Sequence, residues 1–420
     1  MTSSYSCPAC ASSFAVNIKI DSLIYRQCKQ CKSIAPVTAP QLDYTFHTAS
    51  VLALRDYVEL NCAIDHITAS VLQLLQDRPL TRYLDIGAGY GFACDIATRL
   101  LGHQAYGIEP SSYGHEGAHA LGATISPDYL DENHPIAKER FGAITAFQVL
   151  EHCLSPRTDL VLWRSLLEPG GTLLVEVPSA EALLRKNLTY SERLAILDPG
   201  SHAVIFSKLG LQYALKAAGF SHINITTHGS NLEARAADSP IPQHVAVNAV
   251  DAGIRYLTAL LPHARDPILR RGVVYRLFSL LVSSGFYAEA SEHLTELLST
   301  LHLPRLGCTV IFDDYAHLHP FYSGPAFYFI GMYYLNYTRD YPSSLLAFSY
   351  SEYFCRAKIA VAPGSAVVEA SILPLATRHQ DITRHIIIND SHGVIASLRA
   401  SISLNLRIIL RQFRRSRQSR

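Results

Sequence analysis

The chain has 420 residues, of which 49% are apolar and 17% charged, a composition that excludes a disordered protein and predicts two or three domains. Lysine and arginine total 36 and aspartate and glutamate total 35, so charge gives no general reason to bind nucleic acid. No apolar run reaches the roughly 18–20 residues that span a bilayer, and the first residues do not resemble a secretory signal, so we expect no transmembrane segment and a cytoplasmic location.

The first 40 residues are predicted to form a small separate domain that carries two pairs of cysteines. Cys7 and Cys10 are followed, after 17 residues, by Cys28 and Cys31, which is a zinc-ribbon spacing. Four thiolates complete a tetrahedral Zn²⁺ site, and such a site stabilises a segment that is too short to bury a sufficient core. We therefore expect a structural zinc ion, with a redox pair or free thiols as the alternatives.

The middle of the chain, from about residue 50 to residue 250, alternates between two kinds of hydrophobic pattern. After helical spacing over 50–76, strand-like runs cover 82–86, 104–108, 123–126, 143–149 and 171–177, and helix-like runs cover 92–101, 111–121, 157–167 and 207–218. This alternation predicts an α/β fold with a parallel sheet and helices on both faces. Two last β-like runs, 223–227 and 244–250, are predicted to form an antiparallel hairpin at the sheet edge.

The last part of the chain, residues 251–420, is predicted to be mainly helical. Segments 275–298 and 326–357 resemble tetratricopeptide helix pairs, but their spacing does not support a regular array. A few amphipathic helices are the simpler alternative. A short strand is expected at 385–388, before a last helix with an arginine-rich end. That end is expected to be a frayed helix terminus, with contact to anionic lipid or a phosphorylated acceptor as the alternative.

The stretch from Asp85 to Phe92, DIGAGYGF, places a glycine-rich loop after an apolar strand. A dinucleotide-binding loop needs glycine at its first, third and sixth positions, the last for close packing of helix against strand. Counted from Gly87, the sixth position is Phe92, and no Gly-Lys-Ser/Thr sequence follows. These departures exclude the dinucleotide and phosphate loops, and leave a loop with glycine at 87, 89 and 91.

Glu109 follows the next predicted strand, about 20 residues beyond the loop. A carboxylate at that point accepts hydrogen bonds from both hydroxyls of a ribose. The loop and Glu109 together therefore predict an adenosine ligand, which need not carry a phosphate; a solvated strand end is the alternative for Glu109 alone.

Five motifs in register, at 85–91, 109, 147–152, 167–171 and 218–220, resemble the class I S-adenosylmethionine-dependent methyltransferases over roughly residues 50–250. The resemblance implies a Rossmann-like sheet and S-adenosyl-L-methionine as cofactor. It further implies that Glu109 holds the ribose, that residues 126–129 lie near the adenine, and that Phe147 and Gln148 lie beneath the sulfonium. The methionine part of the cofactor is then bordered by Asp85, Gly87, Gly89 and Gly91.

A zinc ribbon before such a domain resembles bacterial sugar methyltransferases, notably C-methyltransferases of nucleotide-linked keto-sugars. That family has one histidine after the fourth strand and a Tyr-x-Glu-His set before a Phe-Ser. This chain matches at His152 and His202 but has Pro199 and Ser201 at the tyrosine and glutamate positions. The resemblance implies a sugar or glycan intermediate as small-molecule acceptor, and the two departures weaken the C-methylation interpretation.

His152 and His202 are the predicted catalytic residues, because a histidine suits removal of a hydroxyl proton near neutral pH. Anchoring of a loop is the alternative for each. Binding of the loop backbone by Glu151 is a further alternative, and Asp198 is a third, weaker candidate base.

The complete interpretation is a zinc ribbon over 1–40, a methyltransferase domain over 41–250 and a mainly helical region over 251–420. The alternative is a non-catalytic cofactor-binding or scaffold protein that binds a protein partner through its C-terminal helices.

Overall fold

The computed structural model of the protein describes residues 6–40, 43–44, 51–60, 64–242, 246–303 and 318–389. They form two compact units, the first from the described parts of 1–50 and 66–252, the second from those of 51–65 and 253–420. The predicted last helix and its arginines lie outside the described residues. The three domain boundaries given above stay predictions.

The first unit begins with a small antiparallel sheet. Strands β1 (Phe14–Ile20), β2 (Leu23–Cys28) and β3 (Ile34–Pro36) lie in that order. Asp21, with φ of 51°, occupies the tight turn between β1 and β2. The short β-strands expected in this part of the chain are confirmed.

The main sheet of the first unit has seven strands among the described residues, in the order β6-β5-β4-β7-β8-β10-β9. Strands β4 to β8 are parallel, and β10 runs antiparallel to both of its neighbours. The strands are β4 (Arg82–Ile86), β5 (Gln104–Ile108), β6 (Ile125–Ser126), β7 (Phe141–Phe147), β8 (Leu167–Pro178), β9 (His222–His228) and β10 (Asn231–Ala237). The Rossmann-like α/β sheet is thereby confirmed.

The helices of this unit are α2 (Ile64–Leu75), α3 (Phe92–Leu101), α4 (Ser112–Leu121), α5 (Pro156–Ser165), α6 (Ala180–Leu183), α7 (Tyr190–Leu197) and α8 (Lys208–Ala217). Their ends follow local chemistry: Ser111 caps α4 by accepting the Tyr113 N–H, and Gly102 ends α3 in the left-handed region. The helices predicted between the parallel strands are therefore present, with ends that differ by at most two residues.

The edge hairpin exists, but its second strand was placed wrongly from the sequence. Strand β10 covers Asn231–Ala237, whereas residues 249 and 250 of the predicted strand begin a helix. The alternating apolar residues near 244–250 favoured the wrong segment. The actual strand carries Glu233 and Arg235. Glu233 is only 5% exposed, and its carboxylate accepts hydrogen bonds from Ser70 and Arg235.

The second unit is helical, as predicted. It is built from α1 (Val51–Leu60), α9 (Ala249–Leu260), α10 (Pro267–Ser283), α11 (Tyr287–Thr300), α12 (Ser323–Tyr333), α13 (Tyr341–Val361) and α14 (Val367–Asn389). Gly285, with φ of 79°, turns the chain between α10 and α11. In neither unit does a described helix combine the length and apolarity needed to cross a membrane.

Buried charges in the second unit are paired. The Lys358 ammonium lies 2.7 Å from Asp56 and 3.2 Å from Glu369, and both Lys358 and Glu369 are fully buried. Glu59, also fully buried, accepts from Arg55 at 2.8 Å and from the Phe321 N–H at 2.7 Å. Each desolvated charge thus has an opposite charge or a donor beside it, as burial requires.

The strand expected at 385–388 is wrong, because these residues continue α14. Burial along this helix recurs every three or four residues, at Ile372, Ala376, Gln380 and Thr383, and Ile386 continues the series as a half-buried residue. The three consecutive isoleucines have β-strand propensity, but the helical repeat of buried positions overrides it.

Helix α4 approaches the chain just before α3 very closely. A methyl group on Gly117 would lie 1.8 Å from the carbonyl oxygen of Tyr90, a separation that no packing of the present backbone allows. Only glycine lets the helix lie in this position.

We predict that Gly117→Ala lowers the free energy of unfolding by about 1–3 kcal/mol, because overpacking outweighs the roughly 1 kcal/mol gain in helix propensity. Urea denaturation provides the measurement. Gly122→Ala at the end of the same helix is the control: a methyl group there meets nothing within 4 Å, so only the left-handed φ of 71° is penalised. Equal stability of Gly117→Ala and the unmutated protein would contradict the close contact.

Candidate active site

The glycine loop, residues 87–91, connects the carboxyl end of β4 to α3. Gly87, Gly89 and Gly91 have φ of 67°, 53° and 90°, a region that residues with a side chain rarely adopt. A methyl group on Gly87 would also lie 2.3 Å from Cγ2 of Val149. Glycine is therefore required in the loop by the backbone conformation and, at residue 87, also by the contact with Val149.

Glu109, directly after β5, is hydrogen-bonded to this loop. Its Oε2 accepts the Gly89 N–H at 2.9 Å and its Oε1 accepts the Ser111 N–H at 2.9 Å. Strands β4 and β5 are parallel neighbours, so their carboxyl ends bring Glu109, the residue predicted to bind a ribose, next to the loop. The carboxylate is 9% exposed and is fixed by two backbone donors.

Asp85, the fourth residue of β4, lies beneath the loop and is 3% exposed. Thr145 of the adjacent strand β7 donates a hydrogen bond to Asp85 Oδ1 at 2.6 Å. Burial raises the pKa of Asp85 to about 7, although the Thr145 hydrogen bond opposes the shift. Asp85, the glycine loop and Glu109 therefore lie at one edge of the sheet.

Phe147 and Gln148 lie at the carboxyl end of β7, next to β4 in the sheet. Gln148 has φ of 57°, and its side-chain amide donates to Glu176 Oε1 at 2.9 Å. A residue with a side chain is strained in this left-handed conformation, and residues strained in this way occur most often at functional sites. Together with the residues above, Phe147 and Gln148 complete a crevice outside the ends of three neighbouring parallel strands.

Residues 126–129, predicted to lie near an adenine, follow the short edge strand β6. Ser126 donates to Asp128 at 3.1 Å, and the Tyr129 hydroxyl accepts the N–H of Tyr44 at 2.7 Å. Tyr44, from the segment after the small sheet, thus reaches the same edge of the main sheet.

The two predicted catalytic histidines are neighbours. The ring centroids of His152 and His202 are 4.7 Å apart, with an angle of 71° between the ring planes. Backbone bonds hold them there: the carbonyl oxygen of Glu151 accepts the N–H groups of Ala203 and Val204 at 2.8 and 3.1 Å. Glu151, directly before His152, is thus hydrogen-bonded to Ala203, directly after His202.

Each histidine has one nitrogen committed to the backbone. His202 Nδ1 lies 2.9 Å from the Ile196 carbonyl oxygen. His152 Nδ1 lies 3.2 Å from the Ser201 carbonyl oxygen and 2.8 Å from the Tyr44 hydroxyl. Since a carbonyl only accepts, the contact to Ile196 places a hydrogen on Nδ1 of His202 and leaves the lone pair of that ring on Nε2. For His152, a hydrogen on Nδ1 serves the Ser201 carbonyl, whereas donation by the Tyr44 hydroxyl to Nδ1 would place the hydrogen on Nε2.

Burial favours the uncharged form of both imidazoles. It lowers the pKa of His152 to about 4, with a further contribution from His202. Burial also lowers the pKa of His202, although the carboxylate of Asp198, 3.9 Å from Nε2, opposes this.

Glu151 differs from its expected role. Its side chain is fully buried, and neither carboxylate oxygen has a hydrogen-bond partner, so it does not bind the loop backbone. Burial raises the pKa of this carboxyl well above its ordinary value. Tyr44, whose hydroxyl contacts His152, was not predicted at all, because the two residues are 108 positions apart and no motif contains Tyr44.

The four predicted metal-binding cysteines converge. The Sγ atoms of Cys7 and Cys31 are 3.6 Å apart and those of Cys10 and Cys28 are 3.5 Å apart, and all four lie within 4.8 Å of one another. Four thiolates at about 2.3 Å from a tetrahedral Zn²⁺ are about 3.8 Å apart. The spacing of the thiols therefore fits such an ion.

The two cysteine pairs sit in turns of the same construction. In each turn the first cysteine carbonyl accepts from the residue four positions on, Ala11 at 2.8 Å and Lys32 at 3.0 Å. Ala11 and Lys32 both have left-handed backbones, with φ of 62° and 67°. The turns present their thiols toward one point, as a metal-binding pair of turns does.

The small sheet with these turns is joined to the segment that follows His202. Ile34 and Ile205 exchange two backbone hydrogen bonds, of 2.9 and 2.7 Å. The Ser207 N–H donates to Ser33 Oγ at 3.1 Å, and the Ser207 hydroxyl donates to the Cys31 carbonyl. The cysteine cluster therefore supports the segment that carries His202.

Residues 59–225 match the family model of a methyltransferase domain. The chain is 37% identical over 100 residues to a ubiquinone biosynthesis O-methyltransferase of Bradyrhizobium sp. (strain ORS 278), a match that covers 22% of this chain and 38% of that protein. It is 32% identical over 149 residues to the enzyme of the same name from Xanthomonas campestris pv. campestris (strain B100), with 33% and 59% covered. The chain thus spans less than two thirds of these relatives.

Among solved structures, an O-methyltransferase family protein from Burkholderia thailandensis is 14% identical, with a TM-score of 0.37 over 46% of this chain and 61% of that one. The family match covers the five parallel strands, the glycine loop, Glu109 and both histidines. Residues 59–225 are therefore similar to a methyltransferase domain.

Proposed function

We propose that the protein transfers a methyl group from S-adenosyl-L-methionine to a hydroxyl oxygen of a small-molecule acceptor. The observation that carries the proposal is Glu109, a carboxylate fixed against an open glycine loop by the Gly89 and Ser111 amides. This pairing suits an adenosine with a free ribose, and it offers no phosphate-binding residues of the P-loop kind.

The cofactor fits the residues of the crevice. Glu109 accepts from the ribose hydroxyls, and residues 126–129 lie along the neighbouring strand end, on the adenine side. The backbone N–H groups of the loop and the amino end of α3 suit the cofactor carboxylate. Asp85, Phe147 and Gln148 border the remaining, methionine side. The cofactor supplies the reactive methyl group, and the protein supplies position and exclusion of water.

The His152–His202 pair is the proposed catalytic centre. Methyl transfer is an in-line displacement: the acceptor oxygen forms the bond to the methyl carbon, and sulfur leaves with the electron pair of the broken bond. The hydroxyl must also lose its proton, and the Nε2 lone pairs of the two imidazoles are the acceptors that their backbone contacts leave available. The Asp198 side chain is 51% exposed and lies 3.9 Å from His202 Nε2, so we do not propose it as the proton acceptor.

The class of acceptor is a hydroxyl compound. The zinc-ribbon resemblance favours a sugar or glycan intermediate, and the relatives named above are O-methyltransferases of ubiquinone biosynthesis. We take a hydroxyl oxygen as the nucleophile in both cases, because Pro199 and Ser201 weaken the C-methylation interpretation and the named relatives are O-methyltransferases. A parallel assay of nucleotide-linked sugars and catechol-type phenols separates them. A protein partner at the C-terminal helices and a cytoplasmic location stay predictions.

The cysteine cluster is proposed to hold a structural Zn²⁺. The four thiols, at 3.5 and 3.6 Å in pairs, leave no place for a water ligand, so the site is closed. Its role follows from the Ile34–Ile205 pairing, through which the ribbon positions the His202 segment.

We predict that Glu109→Ala weakens S-adenosyl-L-methionine binding about 10- to 150-fold, the loss of about 1.5–3 kcal/mol in hydrogen bonds to a charged group. Isothermal calorimetry measures it. Glu116→Ala, an exposed carboxylate of α4, is the control and should bind as the unmutated protein does. Absence of binding heat with the unmutated protein would refute the proposed cofactor.

We predict that His152→Ala keeps cofactor affinity and loses turnover by at least about 100-fold, the usual contribution of proton transfer. The measurement is release of S-adenosylhomocysteine with an accepted substrate. His119→Ala, an exposed histidine, should retain full activity. Cofactor binding without turnover in the unmutated protein, across both acceptor classes, would favour the non-catalytic alternative.

We predict about one Zn²⁺ per chain by elemental analysis, and none in Cys7→Ser/Cys28→Ser protein, which takes one thiol from each turn. Cys153→Ser, a cysteine outside the cluster, should keep the ion. The double variant should also melt at a lower temperature, because the ribbon loses its closing interaction. Equal zinc in both variants would exclude the cluster as the binding site.

A further inference from the structure

Glu151, His152 and His202 form a second group of possible metal ligands, separate from the cysteine cluster. One donor atom of each lies within 4.8 Å of the donor atoms of the other two. The set combines two imidazoles and one carboxylate, donors that suit Zn²⁺, Fe²⁺ or Mn²⁺. It lies at the carboxyl side of β7, where the acceptor must meet the methyl group.

A pair of proton-accepting histidines does not explain why the Glu151 carboxylate is buried beside them. The residue has no exposed surface, and both of its oxygens lack a hydrogen-bond partner. Burying an unpartnered carboxyl costs several kcal/mol, and buried carboxylates are ordinarily paired or coordinate a metal. A cation between Glu151 and the histidines would satisfy both oxygens.

The histidines are oriented as metal ligands are. A ligating imidazole ordinarily donates its other N–H to a carbonyl or carboxylate, which fixes the tautomer and the ring. His202 Nδ1 lies 2.9 Å from the Ile196 carbonyl oxygen, and His152 Nδ1 lies 3.2 Å from the Ser201 carbonyl oxygen. His202 therefore keeps Nε2 for coordination, and His152 does so when its Nδ1 hydrogen is directed to the Ser201 carbonyl.

A third group in the same unit provides a contrast. Glu176, Glu233 and His66 are equally close together, but their carboxylates are satisfied within the protein. Glu176 accepts from Gln148 and from Asn231, and Glu233 from Ser70. This group is a closed hydrogen-bond network, whereas Glu151 has no such partner.

We propose that Glu151, His152 and His202 bind one divalent cation, which holds and activates the acceptor hydroxyl. The inference rests on the proposed methyl transfer and names its activating group. Three protein ligands leave coordination positions for the acceptor oxygen. Bound there, the O–H bond breaks and the proton passes to solvent, while the oxygen lone pair attacks the methyl carbon and sulfur keeps the electrons of the broken bond. The imidazoles then act as ligands, and the cation replaces them as the group that activates the hydroxyl.

The acceptor class narrows as a result. A cation with open positions prefers a hydroxyl flanked by a second oxygen, since two adjacent oxygens chelate it. A vicinal diol of a sugar and a catechol both meet this requirement, whereas an isolated hydroxyl does not.

The test is Mn²⁺ binding to the full chain, followed by electron paramagnetic resonance of the free ion. Mn²⁺ is chosen because it prefers oxygen and imidazole donors to the thiolates of the cysteine cluster. We expect saturable binding of about one Mn²⁺ per chain. Glu151→Gln and His202→Gln should each weaken it at least about tenfold, with cofactor affinity unchanged.

Matched controls are Glu116→Gln and His119→Gln, which change exposed residues of the same types, and Glu233→Gln, which changes the closed network. All three should bind Mn²⁺ as the unmutated protein does. No saturable binding by the unmutated protein, or loss in Glu233→Gln with retention in Glu151→Gln, would overturn the proposal. If a Glu151 or His202 variant fails to bind cofactor, His152→Gln replaces it in the comparison.

Activity separates this proposal from the proposed function. Methyl transfer that persists in protein freed of Mn²⁺ and other loosely bound cations would leave the methyltransferase in place and exclude the cation. Mn²⁺ binding by a protein that transfers no methyl group would support the cation site and exclude the proposed methyl transfer.

Discussion

The carbonyl oxygen of Glu151 accepts two backbone hydrogens, from Ala203 and Val204, and the arrangement of the crevice depends on this contact. One side of it continues directly into His152 and the other follows directly from His202. The distance between the two rings is therefore set by backbone hydrogen bonds, which vary far less than side-chain rotamers. The same segment pairs through Ile205 with Ile34, so the cysteine turns stabilise the centre without touching a ligand.

The crevice contains two kinds of polar environment. Around Glu109, Asp85 and Glu176, each carboxyl has a donor within the protein, so these groups are prepared in one geometry. Around Glu151 the donors are missing, although the side chain is more deeply buried. The first environment suits a ligand that is recognised by shape and hydrogen bonds. The second requires an opposite charge or a proton to be stable.

Much of the fold follows from the sequence because its patterns are local. The strand 82–86 and the helix 92–101 have the predicted ends, since an apolar run, a glycine loop and an amphipathic helix each identify themselves within ten residues. Phe92, whose side chain argues against a dinucleotide loop, is the first residue of α3 and is only 3% exposed. The two cysteine pairs are local in the same way, since each pair and its turn lie within a few residues.

The failures involve residues that contact distant parts of the chain. Strand β10 carries Glu233 and Arg235, and the buried glutamate is stabilised there by Arg235 and by Ser70, 163 positions away. Tyr44 reaches His152 across 108 positions, and no spacing rule connects them. The isoleucines at 386–388 have strand propensity, and their helical state is fixed by the burial repeat that precedes them. The state of Glu151 likewise depends on what surrounds it rather than on its neighbours in sequence.

The contact between Ser33 and Ser207 joins positions 174 residues apart, which has a consequence for the order of events during synthesis. At about 5–20 residues per second, the small sheet leaves the ribosome roughly 9–35 s before the segment on which it docks. During that interval it has no apolar surface to pack against, and its three short strands bury too little to remain folded alone. All four thiols lie within residues 7–31, so a metal captured at that stage would keep the sheet folded until its partner segment is made.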